Sequence, residues 1–434
     1  MSTAPEPARF SARTAWARNE QTPLREFLRT ETGGAAFLLT AAVVALVWVN
    51  VDASSYNSVW STTLSIRVSD ASVALDLRNW VNSGLMTFFF FVVGLEARRE
   101  FDLGEFRERR RFALPLLAGT GGMVAAVATY LAFNAGHPSA HGWGVAMSTD
   151  TAFALGMLAL VGPRFPDRLR AFMLTVSVVD DIVALIVIAT VYSGSLRYVP
   201  LAVALVLYAV VVVLHRFSLR AGFVYFAFGA AAWVALLKAG VEPVVIGLAM
   251  GALAYAYPAS RSTLERATER FREFREQPTA ELARSAGAQL RAATSANERL
   301  QQLFHPWTSY AIVPLFALAN AGVRIGGASS SGVTMPVLGG VVVGLVIGKP
   351  LGITVASWLA VRSRIAALPD GVSWRLLRGV SCLGGIGFTM SLFVGALAFA
   401  DAALLDSAKL GVLLASCVAA FMGWFMLRSA ATTR

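Results

Sequence analysis

The stretch Val178-Val179-Asp180-Asp181-Ile182-Val183-Ala184-Leu185-Ile186 lies near the middle of an apolar run from about Ala171 to Tyr192. A helix of roughly 20 apolar residues is long enough to cross a bilayer. An ionised side chain at the bilayer centre costs about 2.5–3.5 kcal/mol on insertion scales, so charges at that depth are rare and usually functional. The two adjacent aspartates therefore indicate that the protein is organised around a polar site inside a membrane.

The composition also indicates a membrane protein. Of the 434 residues, 56% are hydrophobic and 15% are charged, and the mean hydropathy is +0.62. These values are typical of polytopic membrane proteins. The net charge of +11 comes mostly from arginines at the ends of apolar runs, which favours membrane topology over nucleic-acid binding. The two cysteines lie in apolar runs and the four histidines are scattered, so we expect no disulfide framework, Cys/His metal site or resident cofactor.

Apolar runs of about 17–25 residues predict an all-α fold with twelve membrane-spanning helices. They lie near residues 33–51, 80–96, 112–134, 141–162, 171–193, 198–215, 221–237, 242–258, 304–323, 335–361, 379–400 and 410–427. Of the 37 lysines and arginines, 30 lie in the terminal segments and in every second loop, and six lie in the other loops. Positive residues concentrate on the cytoplasmic side of membrane proteins. We therefore expect the segment 1–32 and the tail 429–434 in the cytoplasm, and one transmembrane domain over 33–428.

Two connecting segments have distinct patterns. Residues 60–78 contain two alternating apolar and polar stretches around Ser69-Asp70-Ala71-Ser72, which predicts a small external β-hairpin. A disordered external loop is the alternative, and an unpaired hairpin edge would offer a place for two protomers to join. Residues 259–303 are rich in Arg, Glu and Ala, which predicts a cytoplasmic, largely helical linker between two bundles of spans.

Two predicted spans contain residues that disfavour a continuous helix. The fourth contains Ser148-Thr149-Asp150-Thr151, whose side chains compete for backbone hydrogen bonds. The eleventh contains Gly384-Gly385-Ile386-Gly387, and glycine disfavours helix, although it can instead mark close helix packing. We predict that both helices break near the membrane centre. Because the two spans run in opposite directions, they also predict inverted repeats, formed by the third to fifth and the tenth to twelfth spans.

Asp150 and Lys349 are placed to neutralise the ends of these broken helices. Where they cross, two half-helix N-termini face each other, as do two C-termini, in a medium of low dielectric constant. Lys349 lies roughly 18 Å from the nearer end of its span, at about 1.5 Å per residue, so it needs an internal partner. That partner is Asp180 or Asp181, in a protonation-dependent switch or in a purely structural ion pair. Because adjacent helical residues project about 100° apart, the two aspartates cannot both face one small site squarely, so we expect one to bind and its neighbour to pair with another group.

The chemistry expected of such a site is the exchange of a small cation for protons. Clustered carboxylates, threonine hydroxyls and free carbonyl groups provide oxygen ligands for a hard cation. The same carboxylates bind protons, so cation and protons compete, and alternating access converts competition into exchange. A cation channel or a sodium-coupled solute transporter would share the topology, but a channel does not need groups that titrate against its ion.

An intramembrane aspartyl protease is the main enzymatic alternative, because it also has two aspartates on separate spans. In those enzymes an acid follows Gly-x-Gly. Here Asp150 follows Ser-Thr and Asp180 follows Val-Val. Protease chemistry also gives no role to Lys349, so we expect no enzymatic activity.

Several motifs resemble those of NhaA-type sodium/proton antiporters, in consistent order from about residue 30 to 428. They are Gly94-Leu95-Glu96 with Arg99-Glu100, Thr149-Asp150-Thr151-Ala152-Phe153-Ala154-Leu155-Gly156, Asp180-Asp181, His305-Pro306-Trp307, Pro314-Leu315-Phe316-Ala317 with Asn320-Ala321-Gly322-Val323, Gly348-Lys349-Pro350-Leu351-Gly352, and Gly385-Ile386-Gly387-Phe388-Thr389-Met390-Ser391. NhaA-type antiporters are themselves known inverted-repeat transporters. The resemblance implies twelve spans, a homodimer through the external hairpin, and a location in the bacterial inner membrane.

The resemblance also implies a function and roles for individual residues. It implies electrogenic efflux of Na⁺ or Li⁺ driven by inward proton flow, serving pH and sodium homeostasis. Asp150 and Asp181 would bind the transported cation and protons, Asp180 would pair with Lys349, and Thr149 would lie beside the broken fourth span.

A cytoplasmic funnel that affects the response to pH is implied as well, with Glu96, Arg99 and Glu100 in it. Spacing alone says only that Glu96 and Glu100 share a helix face, as in many juxtamembrane charge clusters.

The chain departs from the best-known members of the family at four positions. Gln301-Gln302 replace an acid and a histidine, Glu242 stands where a histidine is frequent, and Ser83 replaces an acid. These positions concern the pH response rather than the transport core.

Overall fold

The structure is a computed structural model that describes residues 33–68, 71–103, 109–161, 165–217, 222–256, 261–324 and 334–432. The predicted cytoplasmic segment 1–32 and the hairpin residues 69–70 lie outside the described residues. The first part of the chain forms α1 (Gly33–Val51), α2 (Ala53–Trp60), β1 (Thr63–Val68), β2 (Ala71–Asp76), α3 (Leu77–Leu103), α4 (Arg109–Asn134), a 3₁₀ segment (Pro138–Ala146), α5 (Thr151–Val161) and α6 (Asp167–Thr190). The middle part forms α7 (Tyr198–Arg216), α8 (Gly222–Ala239), α9 (Val244–Ala252), α10 (Arg261–Glu276), α11 (Ala280–Ala292), α12 (Ala296–Trp307) and α13 (Val313–Asn320). The last part forms α14 (Met335–Arg362), α15 (Trp374–Leu383), α16 (Phe388–Ala398) and α17 (Ala402–Thr432).

Among the described residues, eight helices are long and apolar enough to cross a membrane: α1, α3, α4, α6, α7, α8, α14 and α17. The chain is therefore a mostly helical, multi-pass membrane protein. Two other predicted spans form less regular helices. The stretch 242–258 forms only the nine-residue α9, and 304–323 forms a π-helical turn (Thr308–Ile312) followed by α13. In the second stretch prolines explain the irregularity, because Pro306 and Pro314 each lack the backbone N–H that a continuous α-helix needs.

Both predicted helix breaks are present. The 3₁₀ segment and α5 are bent by 45° relative to each other, and α15 and α16 are bent by 44°. Between the halves, residues 147–150 and 384–387 are not helical. The glycines of the second break also serve close packing, because a side chain at Gly385 would overlap the carbonyl oxygen of Leu345 in α14.

The predicted β-hairpin is also present. β1 and β2 pair antiparallel, with Leu64 opposite Leu75 and Ile66 opposite Val73. β2 ends at Asp76, one residue before the apolar alternation ends. The reason is local, because the Asp76 side chain accepts a hydrogen bond from the Asn79 N–H and begins the next helix.

Close packing of α4 against α14 positions the buried lysine. Gly352 in α14 lies against the carbonyl oxygen of Gly121 in α4, where a side chain at position 352 would overlap. One turn earlier in α14, Lys349 lies next to Gly122. The small residues let the two helices approach closely, and Lys349 is completely buried between them and the broken helices.

The linker region is helical, with α10 and α11 packed against each other and followed by α12. The hydroxyls of Thr279 and Ser295 cap α11 and α12. Asn297 is completely buried, and its Nδ2 donates to the carbonyl oxygens of Leu95 (2.8 Å) and Ala254 (2.9 Å). The beginning of α12 is therefore fixed to the ends of α3 and α9.

Candidate ion-binding site

The two broken helices are joined directly where they cross. The backbone N–H of Asp150 donates to the carbonyl oxygen of Ile386 over 2.6 Å. The Thr149 hydroxyl donates to the carbonyl oxygen of Gly384 over 2.8 Å. Breaking a helix leaves backbone groups without their usual partners, and here each break supplies partners for the other.

The Asp150 carboxylate caps the N-termini of both half-helices. Its Oδ1 accepts the Phe153 N–H of α5 at 2.9 Å. Its Oδ2 accepts the Thr389 N–H of α16 at 3.0 Å and the Thr389 hydroxyl at 2.7 Å. Both N-termini carry partial positive charge, so one buried carboxylate neutralises two helix ends at once.

Lys349 lies at the C-terminal end of the first half-helix, where free carbonyl groups carry partial negative charge. Its Nζ donates to the carbonyl oxygen of Met147, just after the 3₁₀ segment, over 2.6 Å. The same Nζ lies 2.7 Å from Asp180 Oδ2. The ammonium therefore neutralises the carbonyl end of a half-helix and a carboxylate together.

The adjacent aspartates have different partners. Asp180 Oδ2 accepts a hydrogen bond from Lys349 Nζ and lies 2.7 Å from Thr149 Oγ1, whose single proton serves either this oxygen or the Gly384 carbonyl oxygen. Among the described residues, none donates to Asp180 Oδ1. Asp181 has fewer and longer hydrogen bonds than Asp180. Thr151 Oγ1 lies 3.4 Å from Asp181 Oδ2, and no described residue donates to Asp181 Oδ1. Both side chains are at most 2% exposed. Two buried carboxylate oxygens thus have no donor among the described residues.

The charges in the site do not balance. Asp150, Asp180 and Asp181 face a single buried ammonium, that of Lys349, so full ionisation would leave an excess of two negative charges. An uncompensated buried charge is very unfavourable. With all three carboxylates ionised, neutrality would require two further positive charges, from protons or cations.

The ligand set fits a small hard cation better than a resident transition metal. Carboxylate oxygens and the Thr151 hydroxyl are available around Asp181, and hard cations prefer oxygen. Within the described ranges there is no group of three or more His, Cys, Asp or Glu side chains arranged to hold a metal ion.

The residues of the implied cytoplasmic funnel lie near the end of α3. Glu96 is half-buried and close enough to Asp181 to act on its charge. Arg99 is exposed, and its Nη1 donates to Gln301 Oε1 in α12 over 3.4 Å. Glu100 is half-buried. The tertiary structure therefore brings Glu96 towards the aspartates and Arg99 towards the linker.

The positions that differ from the best-known relatives also make defined contacts. Glu242 lies close to Ser83, and no described residue donates to its Oε1. Gln301 Nε2 donates to Asn297 Oδ1 over 3.0 Å, which continues the contact between α12 and the spans. Gln302 is exposed.

Sequence reasoning assigned no role to Thr389 or Asn297. Thr389 follows a glycine-rich break, a position where a hydroxyl at a helix N-terminus is common, and this signal could have identified it. Asn297 had no comparable signal, because the two carbonyl groups that it binds belong to distant parts of the chain.

Comparison with known proteins agrees with the sequence motifs. The profile of the family described as Na+/H+ antiporter 1 matches residues 25–427. "Na(+)/H(+) antiporter NhaA 1" of Salinispora arenicola is 53% identical over 428 residues, which cover 98% of this chain and 66% of that protein. "Na(+)/H(+) antiporter NhaA 3" of Frankia alni is 43% identical over 407 residues, covering 93% of this chain and 88% of that protein. The chain spans just under two thirds of the length of the Salinispora relatives.

Proposed function

The chain belongs to the Na+/H+ antiporter 1 family, and on that premise we propose that it exchanges cytoplasmic Na⁺ or Li⁺ for external protons. The observation that carries the proposal is the pair of buried, unpartnered oxygens, Asp180 Oδ1 and Asp181 Oδ1. They lie beside a helix crossing that holds three carboxylates and one ammonium. A site with this charge imbalance requires either protons or a cation at all times, which is the requirement of an exchanger.

Asp181 is the principal ligand in this proposal, for cation and proton alike. It is buried, it has one free oxygen, and its other oxygen has only a long contact with Thr151. Little bonding to the protein would be lost when an ion arrives or leaves. Asp180 contributes its free oxygen, while its other oxygen stays bonded to Lys349 and Thr149.

Asp150 completes the site as a nearby fixed negative charge. Both of its oxygens already accept hydrogen bonds from the half-helices, so direct binding of a cation would add a ligand to an oxygen that is already engaged. Its charge still attracts a cation to the neighbouring Asp181.

Alternating access and charge movement follow from the same arrangement. The cation and protons occupy the aspartates in turn, facing the cytoplasm and then the outside. Asp181 and Asp180 each have an oxygen that no described residue engages, and the exchange moves net charge when two protons replace one monovalent ion. Such an exchanger contributes to pH and sodium homeostasis.

The proposed topology has twelve spans, with α9 and the α12–α13 region completing the two bent pairs and the eight long helices. Inverted repeats would comprise the third to fifth and the tenth to twelfth spans, with both termini in the cytoplasm and the protein in a bacterial inner membrane. The two bent helix pairs support this arrangement, because broken spans in two parts of a chain are typical of inverted repeats.

The β-hairpin is proposed as the external dimer contact. Leu64 and Ile66 lie on the same face of β1, and their exposed fractions are 48% and 50%. Across the hairpin they pair with Leu75 and Val73, which extends the apolar face. A second copy of the chain would cover this face and pair with a free strand edge.

Glu96, Arg99 and Glu100 are proposed to affect the pH response from the cytoplasmic end of α3. Glu96 supports this role through its charge near Asp181, and Arg99 through its contact with α12.

Transport in everted membrane vesicles with an acidic interior tests the function. Added Na⁺ or Li⁺ should dissipate the pH gradient, and Asp181→Asn should abolish the response. Glu281→Gln, an exposed acid in α11, is the matched control and should respond like the unmodified protein. With a sodium-coupled solute transporter, the pH gradient would change only when the solute is added as well. A cation channel would dissipate the membrane potential instead of exchanging the ion for protons. An undiminished response in Asp181→Asn would exclude the assigned ligand.

A further inference from the structure

One face of α10 has no role in the proposed exchange cycle. The helix is charged along most of its length, yet Leu264 and Phe271 are each 50% exposed. Their separation of seven residues is two helical turns, which places them on one face. Thr268 and Arg275 share this face, since they follow Leu264 and Phe271 by four residues. We call these four residues the outer face of α10.

The acids of α10 lie away from the outer face, on a side that also carries Arg266 and Arg270 and contains the Arg270–Glu273 ion pair. Glu265, Glu269 and Glu273 follow one another at four-residue intervals, about 100–180° away from the outer face. The outer face itself carries an arginine, Arg275, and no acid. Apolar groups bordered by arginine, with acids on the far side, are typical of helices that lie in the headgroup region of a membrane.

The interface between α10 and α11 does not cover the outer face. The buried positions of α10 and α11 are Ala267 and Ala286, two small residues that let the helices pack closely. Phe274 is only half-buried, and its ring lies 6.5 Å from that of Phe271. The larger apolar side chains therefore remain available to another surface.

The α10–α11 pair is connected to the spans at both ends. α10 begins at Arg261, five residues after Ala256, whose backbone N–H donates to Asp102 Oδ2 near the end of α3 over 2.9 Å. After α11, the buried Asn297 at the start of α12 binds the carbonyl groups of Leu95 and Ala254. In the proposed topology these attachments put α10 near the cytoplasmic ends of the spans, where the lipid headgroups lie.

We propose that the outer face of α10 binds the anionic cytoplasmic surface of the bilayer, with Leu264 and Phe271 inserted among the headgroups and Arg275 against lipid phosphates. Charge complementarity selects this occupant over a second protein: the cytoplasmic leaflet is negatively charged, and the acids of α10 point away from it. The proposal rests on the proposed topology, which puts the linker in the cytoplasm.

Spin labels on the full-length protein test this directly, in a background in which Cys382 and Cys417 are replaced by serine. Single cysteines at Thr268, on the outer face, and at Glu269, about 100° around the helix, form a matched pair. Each labelled protein is placed in vesicles of phosphatidylcholine alone, and in vesicles that also contain phosphatidylglycerol. The readout is the accessibility of the label to oxygen relative to a water-soluble nickel chelate.

For the label at position 268, the ratio of oxygen accessibility to chelate accessibility should rise about threefold when phosphatidylglycerol is added, because the label enters the headgroup region. The label at position 269 should stay accessible to the chelate. Salt at about 1 M should reduce the rise, because the screening length falls to about 3 Å. The double substitution Leu264→Ser and Phe271→Ser should remove it. Glu265→Ser combined with Glu269→Ser, on the other face, should retain it.

Three results would overturn the proposal. One is a label at position 268 that stays equally accessible to the chelate in both lipids. Another is equal protection at 268 and 269. The last is protection in detergent that grows with protein concentration, which would identify a second copy as the occupant. None of these results bears on the exchange activity, since the vesicle assay with Asp181→Asn tests that separately.

Discussion

Lys349 Nζ lies 2.7 Å from Asp180 Oδ2, and neither side chain has any exposed surface. The lysine also binds the Met147 carbonyl oxygen, and the aspartate also binds the Thr149 hydroxyl, so the pair joins α14, α6 and the first broken helix. Removing one partner would leave a buried charge without compensation.

We expect Lys349→Ala to lower the free energy of unfolding by about 3–5 kcal/mol, the cost of leaving one member of a buried ion pair alone. Thermal unfolding of the detergent-solubilised protein measures the change. Lys238→Ala, at an exposed lysine, should have no effect. The double variant with Asp180→Asn should recover part of the loss. A double variant less stable than Lys349→Ala would contradict this account.

Asp150→Asn should destabilise the crossing, because an amide nitrogen cannot accept the hydrogen bonds that one of the two oxygens now accepts. Hydrogen bonds to charged groups contribute about 1.5–3 kcal/mol, so a loss of that size is expected in thermal unfolding. Asp401→Asn is the control. Asp401 accepts the Ala403 and Leu404 N–H groups at an exposed helix start, where asparagine caps about as well as aspartate. Equal effects of the two substitutions would exclude a special role for Asp150.

Thr149→Val should weaken both stability and ion binding. Its Oγ1 lies between Asp180 Oδ2 and the Gly384 carbonyl oxygen, and leaving that carbonyl oxygen without a partner costs about 1–3 kcal/mol. Thr175→Val is a matched control, because Thr175 is equally buried but bonds only to Ala171 in its own helix. We expect the half-saturating Na⁺ concentration to rise in the first variant and to stay unchanged in the second. If the two threonines behave alike, the contact with Asp180 has no role in binding.

The apparent affinity for Na⁺ should fall as the pH falls, because protons and the cation occupy the same carboxylates. If one proton competes, the half-saturating concentration rises about tenfold per pH unit over the range in which the site titrates. Na⁺ titrations of transport at a series of pH values measure this slope. A half-saturating concentration that stays constant while the maximal rate changes with pH would place the protons elsewhere.

Gly385→Ala should destabilise the second break, because the added methyl group would overlap the Leu345 carbonyl oxygen and crowd Ala419. Gly287→Ala, in α11, has open space around it and should instead stabilise the protein by about 0.5–1 kcal/mol through helix propensity. Unfolding temperatures of the two variants give the comparison. A tolerated methyl group at 385 would show that the crossing is less tightly packed than the structure indicates.

Local sequence was enough to predict the features that depend on neighbouring residues. The hydropathy of the sequence predicted a membrane protein, because a membrane-spanning helix requires a continuous apolar run. Both helix breaks were predictable, since serine, threonine, aspartate and glycine weaken helix wherever they cluster. The hairpin followed from an alternation of period two in residues 63–76.

Only the tertiary structure decided how the charges are paired. Helix geometry separates Asp180 from Asp181 by about 100° but does not say which one faces α14, because that depends on how α6 is rotated in the bundle. Packing around α4 and α14 sets that rotation, and Lys349 meets Asp180. In the same way, Asp150 binds Thr389, 239 residues away in the chain, which no local pattern reveals. The sequence predicted four charges at mid-membrane depth, and three-dimensional packing left Asp181 with the fewest protein partners of the three aspartates among the described residues.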